Sequence, residues 1–169
     1  MTRPEISGIS RFFIVHDAAA GLSFYRDQLG FEITFQEPAV DPFFGIARRY
    51  GAIVMLKGVD VDPLSNYMRE PAARWDAYFY VPDPDALAVE FASRNVEFSE
   101  PLKDTHDGLR GFELKDCDGY VLFFGRPRYE CAERASRKPA TQDRDTTRRH
   151  APYGIWRSNP QRAPTASFT

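Results

Sequence analysis

Apolar and polar positions along the first 128 residues fall into two runs of the same kind. The first opens with Phe12-Phe13-Ile14-Val15, which reads as a buried strand from Arg11 to Val15. Asp17 follows as an N-cap, and residues 18–30 place Leu22, Phe24 or Tyr25, and Leu29 at helical spacing before Gly30, a natural helix terminator. Phe31-Glu32-Ile33-Thr34-Phe35 alternates apolar and polar, predicting a half-buried strand. Two more strands, 43–50 and 52–57, flank Gly51 as a tight hairpin. The order is β-α-β-β-β.

The order then repeats, offset by about 65 residues. A segment rich in Asp, Pro, Ser and Asn separates the halves. Residues 75–81 read as a strand, and Asp83-Pro84 as the N-cap and first residue of a helix running to Asn95. Val96 to Phe98 is a strand. Residues 109–115 and 120–125 form a hairpin around Asp116-Cys117-Asp118-Gly119. Leu22 matches Leu87, Gly30 matches Asn95 and Glu32 matches Glu97. The division is 8–58 for the first module, 59–73 for a linker, 74–127 for the second module and 128–169 for a basic tail that reads as disordered.

Charge sharpens this division. Residues 1–128 hold 14 Lys/Arg against 20 Asp/Glu, while residues 129–169 hold 8 against 4. An acidic body argues against nucleic acid as the main partner and favours cationic ligands. The Arg-rich tail reads as a solvated appendage rather than a docking element. No apolar run approaches the ~20 residues of a membrane span, and the first residues carry no long apolar stretch, so a cytoplasmic protein is expected. Cys117 and Cys131 have neither metal-site spacing nor a disulfide framework.

FYRDQLGFE (24–32), DPDALAVEFASRNVEF (83–98) and GFELKDCDGYVLFF (111–124), set in this tandem pattern, resemble the vicinal oxygen chelate superfamily. Its members include glyoxalase I, extradiol dioxygenases, and fosfomycin- and bleomycin-resistance proteins. The likeness covers residues 8–127. It implies an α+β fold whose two β-α-β-β-β modules form a curled mixed sheet with an open cleft, closed within one chain or across a homodimer. Metal enzymes of the family keep one ligand on the first and last strand of each module. Carried over, those positions are Ser10, Met55, Asp76 and Phe123. That set offers one carboxylate, one weak hydroxyl, a soft thioether and a hydrocarbon, which will not hold a hard or borderline cation. A one-residue slip gives Val54 or Leu56, and Leu122 or Phe124, which are no better. His16, His106 and His150 are scattered. No metal or other cofactor is therefore expected.

The resemblance is nearest to the bleomycin-resistance-like branch, whose metal-free aromatic clefts bind a drug without chemistry. The expected function is non-catalytic binding of an aromatic or cationic, antibiotic-like molecule. Phe12, Met55, Trp75, Asp76, Tyr78, Phe112 and Phe123 are the expected ligand-binding residues. Alternation puts Phe13, Val15, Phe79, Val81, Leu122 and Phe124 on the opposite face, against the helices. Four alternatives stay open: a filled core without a cleft, a metal-dependent lyase or dioxygenase, a metal-free isomerase with Asp76 as base, and an interaction module whose basic tail docks a partner. An unpaired carboxylate in an apolar cup is costly. Asp76 therefore calls for a partner, either Arg48, Arg49 or Arg110, or a cationic ligand.

Overall fold

The computed structural model describes residues 8–128; the reading of residues 129–169 as a tail lies outside the described residues. The first run folds as β1 (Ser10–Val15), α1 (Ala18–Ser23), β2 (Glu32–Glu37), β3 (Phe44–Arg49) and β4 (Ala52–Gly58). Asp17 caps α1 by accepting a hydrogen bond from the Ala20 amide at 3.0 Å. The helix widens into one π turn over Phe24–Gln28 and stops where Gly30 takes φ 68°. A loop carrying the short α2 (Asn66–Arg69) and a 3-10 turn at Pro71–Ala73 leads to β5 (Ala77–Tyr80). Then come α3 (Pro84–Ser93), capped by Asp83, and β6 (Phe98–Asp104), β7 (Leu109–Lys115) and β8 (Val121–Pro127). After α3 the chain turns at Asn95 with φ 60°, the counterpart of Gly30. Both positions need the left-handed region, and Asn is the L-residue that tolerates it best.

The modules form two four-stranded mixed sheets of identical topology, β1-β4-β3-β2 and β5-β8-β7-β6. In each, the first and last strands of the module pair in parallel and the remaining pairs are antiparallel. Three local differences from the sequence reading have physical causes. The register slips between Ile33 and Phe35, so these two residues face opposite sides despite their spacing. β6 begins at Phe98 and runs on through Pro101 to Asp104, because an edge strand tolerates a residue without an amide hydrogen. The helical turns of the linker carry no apolar period to announce them.

A single core lies between the helix-covered faces of the two sheets. Phe13 stacks on Tyr120 at 4.4 Å, and Phe31 meets Phe79 edge-on at 6.2 Å, so each module's inner face touches the other's. Phe79 stacks flat on Phe124 at 4.6 Å, and Phe91 of α3 sets its edge against Phe112 and Phe124. Polar contacts fasten the same boundary. The Tyr120 hydroxyl donates to the Ile14 carbonyl at 2.7 Å, and the Arg49 guanidinium donates to Glu90 at 2.7 Å. Because both inner faces are spent on this shared core, the other faces of the two sheets turn away from each other.

Candidate functional site

Those two outward faces hold most of the residues singled out by the sequence. On the first sheet, cross-strand register places Phe12 beside Met55 and Met55 beside Ile46. Phe35 joins them through its register slip, pairing with Ile46 and packing on Phe44 at 6.0 Å between ring centres. Phe12 is 50% exposed and Phe35 46%, so large apolar side chains lie bare on a sheet face rather than singly on the surface. Ser10 lies on the same face, opposite Ile53, and is exposed.

The second sheet's outward face is built as a stack. Gly111 and Gly125 are paired across β7 and β8. A methyl group on either would come within 2.6 Å of the Phe123 ring, so that ring lies directly on the two glycines. Trp75 covers Phe123 with ring centres 4.3 Å apart and planes 21° apart. The Arg74 guanidinium sits over the Trp75 ring at 4.4 Å. Tyr78 closes the flank, 4.9 Å from Phe123 and 5.6 Å from Trp75. Glu113 of β7 orients the stack: its carboxylate accepts from the indole Nε1 of Trp75 at 2.7 Å and from Nη2 of Arg74 at 3.3 Å. Glu113 was missed by the sequence reading, although alternation along β7 puts it level with Phe123.

Two expectations need correction. Phe112 is not on this face. It is buried in the shared core, 5.5 Å from Phe124 and 5.0 Å from Phe98, because its neighbours Gly111 and Glu113 take the outward positions of β7. Asp76 is buried but partnered, by neither Arg48, Arg49 nor Arg110. One oxygen accepts from the Asn66 amide at 2.7 Å and the other from the Val121 amide at 2.8 Å. Arg110 instead pairs with Asp85 and Asp104, and Arg49 with Glu90. Asp76 thus pins the start of α2 to the start of β8. With both oxygens held by main-chain donors, it is poorly placed to act as a base.

The same geometry settles whether these residues suit a divalent cation. Phe123 has no donor atom, Met55 is a soft ligand in an apolar row, Ser10 is exposed on the other sheet, and Asp76 is spoken for. The set does not fit a metal site, and among the described residues no group of three or more His, Cys, Asp or Glu is arranged to hold one.

At the end of β1 a different cluster forms. His16 donates its amide to Asp118 at 2.8 Å and places Nδ1 2.9 Å from the same carboxylate, which raises the imidazole pKa. The open cleft beside it, about 430 Å³, is lined by His16, Asp17, Asp41, Pro42, Phe43 and Asp60 among others, and shares no residue with either outward face. Behind it the Tyr25 hydroxyl donates to Asp116 at 3.3 Å, and burial lifts the Asp116 carboxyl to about 7.

Residues 8–124 match the family model for the Glyoxalase/Bleomycin resistance protein/Dioxygenase superfamily. Solved structures share the fold. TioX from Micromonospora sp. ML1 is 19% identical, with 72% of this chain and 98% of that one covered and a TM-score of 0.58. The bleomycin-binding protein from bleomycin-producing Streptomyces verticillus, complexed with copper(II)-bleomycin, is 25% identical, with 72% and 97% covered and a TM-score of 0.55. TnmS3, an antibiotic-binding protein from Streptomyces sp. CB03234, is 24% identical, with 75% and 98% covered and a TM-score of 0.51. No curated protein sequence matches the chain. Among the described residues no helix is long and apolar enough to cross a membrane.

Proposed function

The chain belongs to the glyoxalase/bleomycin resistance protein/dioxygenase superfamily, and from that premise we propose that it binds an aromatic or cationic, antibiotic-like small molecule without transforming it. The observation that carries this reading is the stack of Trp75 on Phe123 at 4.3 Å, with Phe123 standing where metal enzymes of the superfamily need a donor atom. Flat rings held parallel and oriented by a carboxylate suit a planar guest, which gains by stacking and by burial of apolar area. The likeness to a bleomycin-binding protein supports the same direction. Each chain offers two half-sites facing apart, so a closed cleft takes the first sheet of one copy and the second sheet of another. Phe12 and Met55 then face Trp75 and Tyr78 across a homodimer, with Phe123 buried beneath the indole. The alternatives that need a metal or Asp76 as base are disfavoured by the donor chemistry and by the two amides on Asp76.

Fluorescence titration tests this in the full chain carrying Trp156→Phe, which leaves Trp75 as the sole indole. Planar cationic compounds, bleomycin among them, are expected to quench Trp75 and raise Tm. A ligand at 100 times its Kd adds about 2.7 kcal/mol to stability. Trp75→Ala is expected to abolish binding. Absence of quenching and thermal shift across the whole series sinks the proposal, as does stoichiometric Fe, Mn, Ni or Zn in protein purified without chelator.

A further inference from the structure

We propose that the outer side of Trp75 is a subsite for a planar, delocalised cation and that Arg74 occupies it in place of the ligand. This rests on reading the second sheet's outward face as a ligand site. Three independent features carry it.

The first is what surrounds the guanidinium. Arg74 lies 4.4 Å over the Trp75 ring, with Nη2 3.3 Å from Glu113 and Nη1 3.2 Å from Asp107. One aromatic plane and two carboxylates, Glu113 on β7 and Asp107 in the turn before it, converge on one flat cation. That is the recognition set a guanidinium or amidinium guest requires. The second is persistence. Glu113 also accepts from the Trp75 indole at 2.7 Å, so the ring and the carboxylate keep their positions when Arg74 departs. The third is the backbone. Arg74 sits at φ 35° and ψ −67°, which an L-residue rarely adopts, at the end of the 3-10 turn Pro71–Ala73. A strained backbone of this kind persists only where the surrounding structure holds it, and such residues cluster at ligand clamps. The Arg74 side chain is 37% exposed, so a path outward exists.

The consequence is competition. A cationic guest meets a subsite that is free only in the fraction of molecules whose Arg74 has swung out, and its apparent Kd is raised by that fraction. A neutral guest of the same shape gains less from Glu113 and Asp107, because only a cation adds charge to the hydrogen bonds. Arg74 thereby sets which ligands bind and how tightly.

The test uses the full chain with Trp156→Phe, titrated by Trp75 fluorescence with benzamidine, a planar amidinium, and with benzamide, its neutral counterpart. Arg74→Ala is expected to bind benzamidine at least tenfold more tightly than the parent, with a smaller gain for benzamide, which also meets a freed ring but carries no charge for the carboxylates. Arg74→Gly, which suits the positive φ and also lacks the guanidinium, is expected to behave alike should Arg74→Ala fold poorly. Adding Glu113→Gln to either variant should reduce the charge preference, and adding Asp107→Asn as well should erase it. Benzamidine bound equally or more weakly by both Arg74 variants, with benzamide still bound, overturns the subsite and leaves the binding function standing. Neither compound bound by any variant overturns both.

Discussion

Asp116 is a carboxylate that the fold buries. It begins the DCDG turn, and there its Oδ1 accepts from the amides of Asp118 at 3.0 Å and Tyr120 at 2.9 Å. Those bonds favour the carboxylate, yet burial outweighs them, the neighbouring Asp118 adds repulsion, and the carboxyl is raised to about 7. The groups facing it are the buried Tyr25 hydroxyl from the first module and Cys117, Asp118 and Tyr120 of its own turn. In the unfolded chain Asp116 titrates near 3.9. Between about 4 and about 7 the folded state therefore binds more protons than the unfolded one, and stability falls as pH rises through that window. His16 acts in the same sense at higher pH. Its pKa is raised by the hydrogen bond to Asp118, so its contribution is present below the unfolded value near 6.5 and is lost as pH rises through the folded one. Asp116→Asn keeps the amide acceptor and removes the charge. Urea unfolding from pH 4 to 8 should show a flatter profile for Asp116→Asn, most clearly below 6.5 where His16 is silent. An unchanged slope there means that the Asp116 carboxyl is not raised.

At the scale of elements, β7 and β8 form a platform made flat by two glycines. A Cβ on Gly125 would lie 2.6 Å from both the Arg110 carbonyl oxygen and the Phe123 ring. Gly125→Ala must therefore shift backbone and ring, and is expected to cost about 1–3 kcal/mol in denaturant unfolding. In a Phe123→Leu background the cost should shrink without vanishing, because the carbonyl contact remains. Additive costs would mean that the ring does not rest on the glycines. Little of this could be read from sequence. Alternation placed Phe13, Leu122 and Phe124 toward the helices and Phe123 away from them, because the side-chain period of a strand is local. The capping aspartates, Asp17 and Asp83, and the paired terminators, Gly30 and Asn95, were legible for the same reason. Phe35 was not, since the slip at Thr34 depends on how β2 meets β3. The partners of Asp76 were not, since the amides of Asn66 and Val121 have no side-chain signature. Glu113 escaped because its role follows from Trp75, brought alongside from 38 residues away.

At the scale of the whole molecule, the decisive feature is the direction of the two modules. Burying Tyr120 against Phe13 and Phe79 against Phe31 commits both inner faces to one core, and the apolar first sheet is left bare. Monomeric soluble proteins seldom expose so continuous an apolar surface without a use for it. The second sheet supplies the complement: an aromatic platform with a charged rim of Arg74, Asp107 and Glu113. An apolar centre with a polar margin is the make-up of a stable interface, and a two-fold pairing of first sheet on second sheet repeats the contact and closes two clefts at once. Sedimentation velocity of the full chain should therefore show a dimer at micromolar concentration. Phe12→Asp with Phe35→Asp should dissociate it, because two carboxylates would be buried on an apolar face. The fold itself should survive, since Phe12 and Phe35 lie outside the shared core. Tyr50→Asp, at a hairpin tip 89% exposed, serves as the control and should leave the dimer intact. In the proposed two-copy cleft half the wall comes from the partner, so the dissociated variant should also lose ligand quenching of Trp75 despite an untouched second sheet. A monomeric parent, or a dissociated variant that binds as well as the parent, would place the whole site within one chain and refute the two-copy cleft.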